Sequence, residues 1–427
     1  MRIVLIIPGT GGTFYCENCL RDAALVKALR AHGHDVVMVP MYLPLVMDAP
    51  DAAAQGPIFF GGVNAYLQQQ TRFFRTTPRW LDRIFDARWL LDLAARRAGS
   101  MRAHGLGAMT LSMLRGEDGN QAKELARLLG WLKDLGPVDI VHLSNALLLG
   151  LAKPLRAQLT ARVVCSLQDE DSWLDALDKP YDQRCWQAAR DAAAQVHAFV
   201  AVSRFYAGRM RERLALPPER LHVVHPGIDL DGYAPAPQPP DPPVIGYLGR
   251  MSPSLGLATL AEAFIRLRQP PFSRKLRLRI SGGMTADDRP FVSRLRGQLR
   301  QAGLAGDVDV VEGFDRSTRL CFLRSLTVLS VPQAKPEALG LFILEALASG
   351  VPVVQPAIGG FPELIEATGG GVLFDPNTPE ALATALDALL LDPDRLRALA
   401  QRGRASVLER FGLAQAAQRM LEVYEHL

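Results

Sequence analysis

MRIVLIIPGTGGTFYCENCLRDAALVKALRAHGHDVVMV, residues 1 to 39, reads as strand, glycine loop, helix, strand. The apolar run Ile3 to Ile7 has no polar alternation, so both of its faces are covered. It runs into Gly9-Thr10-Gly11-Gly12, and a helix is predicted from about Cys19 to Ala31, with Leu20, Ala24, Leu25, Ala28 and Leu29 at helical spacing. Gly33 closes that helix, as C-capping favours, and Val36 to Val39 follows as a second buried strand. This is a βαβ unit, which calls for a parallel sheet with helices on its faces.

The rhythm continues outward. Ile140 to Leu143, Val163 to Leu167 and Ala198 to Val202 read as strands, with a helix expected over Ala146 to Leu159. From Pro226 to Pro243 seven prolines (226, 235, 237, 239, 240, 242 and 243) interrupt the pattern. A stretch so rich in proline is neither helix nor central strand and reads as a semi-rigid linker. Alternation then restarts. Val244 to Leu248, Leu276 to Ile280, Val308 to Val311, Leu326 to Val331 and Val351 to Gln355 are predicted strands; Leu257 to Leu267 and Leu341 to Ala348 are predicted helices. Amphipathic helices follow from Pro379. The expected architecture is therefore α/β, with two Rossmann-like, doubly wound parallel-sheet domains facing across a cleft. An amino-terminal domain spans 1–225, a linker 226–243, a second domain 244–405, and a terminal segment 406–427 packs back on the first domain. Ligands of such sheets bind beyond the carboxyl ends of the strands.

Length and composition agree. A chain of 427 residues, 48% hydrophobic and 22% charged, is too long for one compact domain and too apolar for disorder. No apolar run reaches the roughly 18–20 residues that a spanning helix needs, and the opening residues are too short for a signal peptide. Five cysteines do not make a disulfide framework, so reduced thiols in a cytoplasmic protein are expected. The net charge of +4 does not itself imply nucleic acid.

One segment departs from the rhythm. Residues 66–105, within an insertion of about 66–120, carry eight arginines against Asp82, Asp86 and Asp92, interleaved with Tyr66, Phe73, Phe74, Trp80, Phe85 and Trp89. A solvated basic face over a small satellite core accounts for this composition. So does peripheral contact with an anionic membrane, such as the inner face of the cytoplasmic membrane.

The densest chemistry lies in Pro332 to Gly360. Glu337 and Glu345 are separated by seven residues, with Gly340 between them and Leu341-Phe342-Ile343-Leu344 opening a helix. Backbone N–H groups at a helix start, approached across a glycine, form an anion site without a cationic side chain. Glu337 in the loop and Glu345 one turn into the helix can border a diphosphate while accepting hydrogen bonds from sugar hydroxyls.

With these residues in view, the chain resembles the retaining glycosyltransferases of the GT-B fold, family 4, the glycogen-synthase-like group. Pro332 to Glu363 is similar to the family's E-x7-E block and glycine turn, Val244 to Met251 to the strand and Gly-Arg opening the donor domain, Pro8 to Gly12 to the amino-terminal glycine loop, and Val224 to Tyr233 to the interdomain connection. The resemblance implies hexosyl transfer from a UDP- or GDP-type sugar nucleotide to an acceptor (a glycan, a lipid-linked sugar or a small molecule), with that co-substrate as the only cofactor and no metal. It implies a catalytic set of Glu337, Arg250 and Gln168. The implied donor set is Gly11, Gly12, Gly249, Arg250, Gly283, Lys335, Glu337, Gly340, Leu341 and Glu345. In it Arg250 neutralises the diphosphate, Glu337 meets the donor sugar and Glu345 the ribose.

Two residues depart from the family pattern. Leu255 stands where a lysine usually precedes the second glycine, Gly256, and Gln168 stands where a histidine is common. A slow enzyme, an unusual donor or a substitute cation at Lys335 would each reconcile the first, whereas glutamine can bond a hydroxyl but cannot become cationic. An alternative follows: a catalytically impaired relative that binds a nucleotide sugar or a partner.

Other signals are weaker. Cys16-Glu17-Asn18-Cys19 lacks a second cysteine pair for zinc and reads as a structural loop, with redox chemistry as the other reading. Asp169-Glu170-Asp171 suits capping or acceptor contact. The glycine loop is not G-x-G-x-x-G, which disfavours a dehydrogenase. Ser203 is not in a nucleophile elbow and is expected to cap a helix.

Overall fold

The computed structural model describes residues 1–9, 14–42, 59–60, 69 and 105–427. Gly11, Gly12 and nearly all of the basic segment 66–105 lie outside the described residues.

The chain divides into two compact units, Met1–Gly12 with Asn18–His225 and Ala416–Leu427, and Thr13–Glu17 with Pro226–Gln415. The first carries six parallel strands: β1 (Arg2–Ile7), β2 (Asp35–Pro40), β3 (Ile140–Leu143), β4 (Arg162–Leu167), β5 (Ala198–Ala201) and β6 (Leu221–Val223). Their order is β2-β1-β3-β4-β5-β6, with Val4 opposite Val37 on one side and Val141 on the other. The uninterrupted apolar runs are fully buried, as strands sandwiched between helices must be. Helix α1 (Glu17–Ala31) connects the first two strands. Ser203 does cap Arg204–Leu214, accepting from the Tyr206 amide. The expected helix from Ala146 begins as a 3-10 segment, Ala146–Leu151, capped by Asn145, and becomes α-helical only over Ala152–Gln158. From the carboxyl end of the chain, Tyr424 Oη lies 2.5 Å from His142 Nδ1, whose Nε2 lies 2.8 Å from Ser166 Oγ.

The second unit carries β7 (Val244–Leu248), β8 (Arg277–Ser281), β9 (Val308–Val310), β10 (Val328–Leu329), β11 (Val353–Pro356) and β12 (Gly371–Phe374), in the order β12-β11-β10-β7-β8-β9. Strand β10 is shorter than its apolar run, yet bonds from Thr327 N to Val244 O and from Ser330 N to Gly246 O extend its pairing beyond the two assigned residues. From β7 the chain winds outward through β8 to β9, then returns to β10 and winds the other way. The switch point, and with it the expected ligand site, therefore lies at the carboxyl ends of β7 and β10. Three helices matter below: α2 (Arg289–Gln301), α3 (Leu341–Ala348) and α4 (Phe361–Thr368).

Thr13–Glu17 belongs with the second unit, which differs from a reading of 1–225 as one continuous domain. Backbone pairing explains it: Tyr15 N donates to Gly282 O (2.9 Å) and Phe14 bridges Gly283 antiparallel. Among the described residues no helix is long and apolar enough to cross a membrane.

Candidate functional site

The site of the second unit is built from loops that leave β7, β8 and β10. After β7, Gly249 N donates to Ser281 O (3.0 Å) and Met251 N to Gly283 O (2.9 Å), so the ends of β7 and β8 are joined by their backbones. The buried Tyr247 hydroxyl reaches Arg250 O (3.0 Å) and Leu255 O (3.2 Å), fixing the loop between them. Gly256 closes that loop at φ +76°. A Cβ there would lie 1.8 Å from Pro332 O, so only glycine allows the β7 loop to meet the β10 loop. Ala334 N donates to Ser254 O (3.1 Å), completing the junction.

Arg250, expected at the diphosphate, is held at 2.8 Å (Nε) and 3.2 Å (Nη2) from the Asp288 carboxylate, with Nη2 also 3.0 Å from Thr285 Oγ1. Burial pushes the Asp288 carboxyl up, but the Arg250 guanidinium and the Thr285 groups outweigh it and leave it below its ordinary value. Thr285 and Asp288 form a capping box at the turn before α2. The fork thus commits its Nε–Nη2 edge to the protein, while its face lies 5.2 Å from the Phe14 ring centroid.

Along the β10 loop, Lys335 is exposed and Glu337 half-buried. The Glu337 carbonyl accepts from Gly360 N (2.9 Å), the second glycine turn packing directly against the loop. Gly340, at φ +94°, leads into α3, all eight of whose residues are buried. Its Cβ would lie 2.8 Å from the Phe361 ring at the start of α4.

At the start of α3 the Leu341 amide donates to the Glu17 carboxylate. The chain thus supplies its own anion at the position where the helix start was expected to take a phosphate. One turn on, Glu345 is 2% exposed. It accepts the Tyr15 and Tyr233 hydroxyls, each at 2.5 Å, and Arg319 Nε at 3.1 Å. Burial, then the Glu345 charge, drives the Tyr15 hydroxyl well above its ordinary value. Both tyrosines therefore act as donors here. In this structure the groups assigned to diphosphate and ribose are bonded to the chain's own side chains.

The second unit thus gathers Gly249, Arg250, Gly283, Lys335, Glu337, Gly340, Leu341 and Glu345 around one switch point. Gln168 lies in the first unit, at the end of β4. It is buried, donating through Nε2 to Ser144 O (2.6 Å) and through its amide to Glu170 (2.7 Å). Sequence reasoning missed Tyr15, Glu17, Tyr233, Arg319, Thr285 and Asp288. Only the Thr285-to-Asp288 capping spacing was readable; the other partners meet Glu345 and Leu341 across up to 330 residues.

The two units together have the GT-B architecture. Two family models match: Glycosyltransferase Family 4 over residues 102–231 and Glycosyl transferases group 1 over residues 234–406. A D-inositol 3-phosphate glycosyltransferase of Xylanimonas cellulosilytica is 35% identical over 222 residues, covering 48% of this chain and 51% of that protein. The alpha-maltose-1-phosphate synthase of Mycolicibacterium smegmatis is 32% identical over 287 residues, covering 61% of this chain and 70% of that protein. The chain thus spans about half the length of the first of these relatives and more of the second. Anabaena HepE, solved in complex with UDP, covers both chains fully at a TM-score of 0.69 and 18% identity, a likeness of fold. The chain belongs to family 4 of the glycosyltransferases.

Proposed function

We propose that the chain transfers a hexosyl group from a UDP- or GDP-type sugar nucleotide to an acceptor hydroxyl, with retention at the anomeric carbon. The observation that carries this reading is the α3 start. An amide aimed at an anion, already bonded to a carboxylate, stands at a switch point beside Arg250 and Glu337. Donor diphosphate replaces the Glu17 carboxylate at the Leu341 amide and takes the Nη1 edge of Arg250, which the Asp288 pair does not use. The Glu337 carboxylate accepts donor-sugar hydroxyls, and ribose hydroxyls exchange for tyrosine hydroxyls at Glu345. The acceptor hydroxyl attacks the anomeric carbon on the face from which the diphosphate departs and gives its proton to the leaving phosphate oxygen, which preserves the configuration, and the chain contributes position and charge stabilisation.

The donor is suggested by the nucleotide bound to HepE. The names of the two relatives both contain a phosphorylated polyhydroxy compound, which makes inositol phosphates and sugar phosphates the first acceptors to try. The test is to incubate the chain with a panel of nucleotide sugars, with and without those acceptors, and to measure nucleotide release and the anomeric coupling of any product. Glu337→Ala and Arg250→Ala should abolish release, and an inverted product would overturn the mechanism. A second reading, nucleotide-sugar binding without transfer, is favoured by Leu255 in the lysine's place; clear nucleotide binding with no release from any donor would establish it.

A further inference from the structure

The second unit carries a basic groove along α2 whose arginines the proposed transfer does not use. Helix α2 has four arginines (289, 294, 296 and 300) and no Asp or Glu in its thirteen residues. Its formal charge equals the +4 of the whole chain. All four side chains are exposed, and among the described residues none forms an ion pair. Nearby carboxylates are engaged elsewhere: Asp288 by Arg250, Asp307 by Arg268, Asp309 by Arg277 and Arg279, while Asp287 has a partner of its own.

Helix stability does not explain the pattern. Arg289 stands at the first helical position, where a cation opposes the helix dipole, and Arg296 and Arg300 form a like-charged pair at i, i+4. Arg289, Arg296 and Arg300 repeat at seven and four residues, which places them in one stripe about 16 Å long. That stripe borders a groove of about 750 Å³ against edge strand β9, with Val292, Leu299 and Val310 on its floor. The apolar face of α2 is buried (Val292, Leu295, Leu299), so the helix cannot insert into a bilayer and presents only its cations and the shallow groove.

We propose that α2 is an electrostatic docking surface for an anionic membrane, seating acidic phospholipid headgroups along Arg289, Arg296 and Arg300. An extended array of anions matches a row of arginines with no acidic residue interspersed. A protein interface is built around an apolar or aromatic centre, whereas the exposed positions of α2 are its four arginines with Pro290, Ser293, Gln298 and Gln301, which suits a layer of charged headgroups. The assignment does not depend on the proposed transfer.

The test is co-sedimentation of the full chain with phosphatidylcholine vesicles, with and without phosphatidylglycerol, at low and high salt. Wild type should pellet only with phosphatidylglycerol and be released by salt. Arg289→Gln/Arg296→Gln/Arg300→Gln should bind about 100-fold more weakly, with an unchanged urea midpoint to show that it is folded. The triple Lys variant should bind like wild type. Equal pelleting of the Gln variant and wild type, equal binding to neutral vesicles, or binding to soluble heparin without vesicle binding would each overturn the assignment.

Discussion

Glu17 makes the most direct prediction at the scale of single residues. If its carboxylate holds the Leu341 amide against the incoming diphosphate, removing its charge leaves that position less contested. Glu17→Gln should lower KM for the donor about 3-fold, in line with a single charge at a helix start, and leave kcat unchanged; donor-release kinetics would show it, and a raised KM counts against competition at this amide. Leu255 offers a second test. It lies in the turn Pro253–Leu255 with its carbonyl held by Tyr247, so a longer side chain can be placed there without disturbing the backbone. Leu255→Lys should raise the rate of donor turnover by about 10-fold or more if a missing fixed cation limits it. Should Lys335 already serve, Lys335→Ala would slow the wild type and Leu255→Lys would restore it. An unchanged rate in both variants would remove any role for a cation at this loop.

Among the elements, the junction between the β7 and β10 loops is the tightest backbone approach of the site. Gly256→Ala places a methyl onto Pro332 O and forces a left-handed conformation, so it should cost at least about 2 kcal/mol. Urea unfolding would measure this, and a loss below half of that figure would mean that the loops separate freely. The strands feeding the junction were readable because a strand buried on both faces is a near-continuous apolar run: Ile3 to Ile7 and Val244 to Leu248 lie where those runs lie. β6 and β12 gave no such signal, being short and only half-buried. The site divided in the same way. Glu337, Gly340 and Glu345 were visible as a spacing, since local geometry fixes where a loop and the first turn of a helix point. The partners of Glu345 were not. Tyr15, Tyr233 and Arg319 reach it through tertiary packing, which leaves no local pattern.

For the molecule as a whole, two buried groups of the first unit give stability opposite dependences on pH. Burial raises the Glu170 carboxyl from 4.5 to about 7, against hydrogen bonds from the Ala146 amide, the Tyr206 hydroxyl and the Gln168 amide. Its stabilisation is complete below 4.5 and is lost as pH climbs through about 7. Burial takes the His142 imidazole from 6.5 down to about 3, so its contribution is present above 6.5 and is lost as pH falls towards 3. Between pH 4.5 and 8 the wild type should lose about 3 kcal/mol relative to Glu170→Gln, read from urea midpoints; parallel curves would mean that burial does not raise the Glu170 carboxyl above its ordinary value. The membership of Thr13–Glu17 has a practical consequence for anyone dividing this protein. A recombinant piece starting at Pro226 would retain β7 through β12, yet Glu345 would forfeit a hydroxyl donor, Leu341 its carboxylate and Gly282 its backbone neighbour. The proline run looks like a place to cut, but a cut there leaves those partners on the other piece.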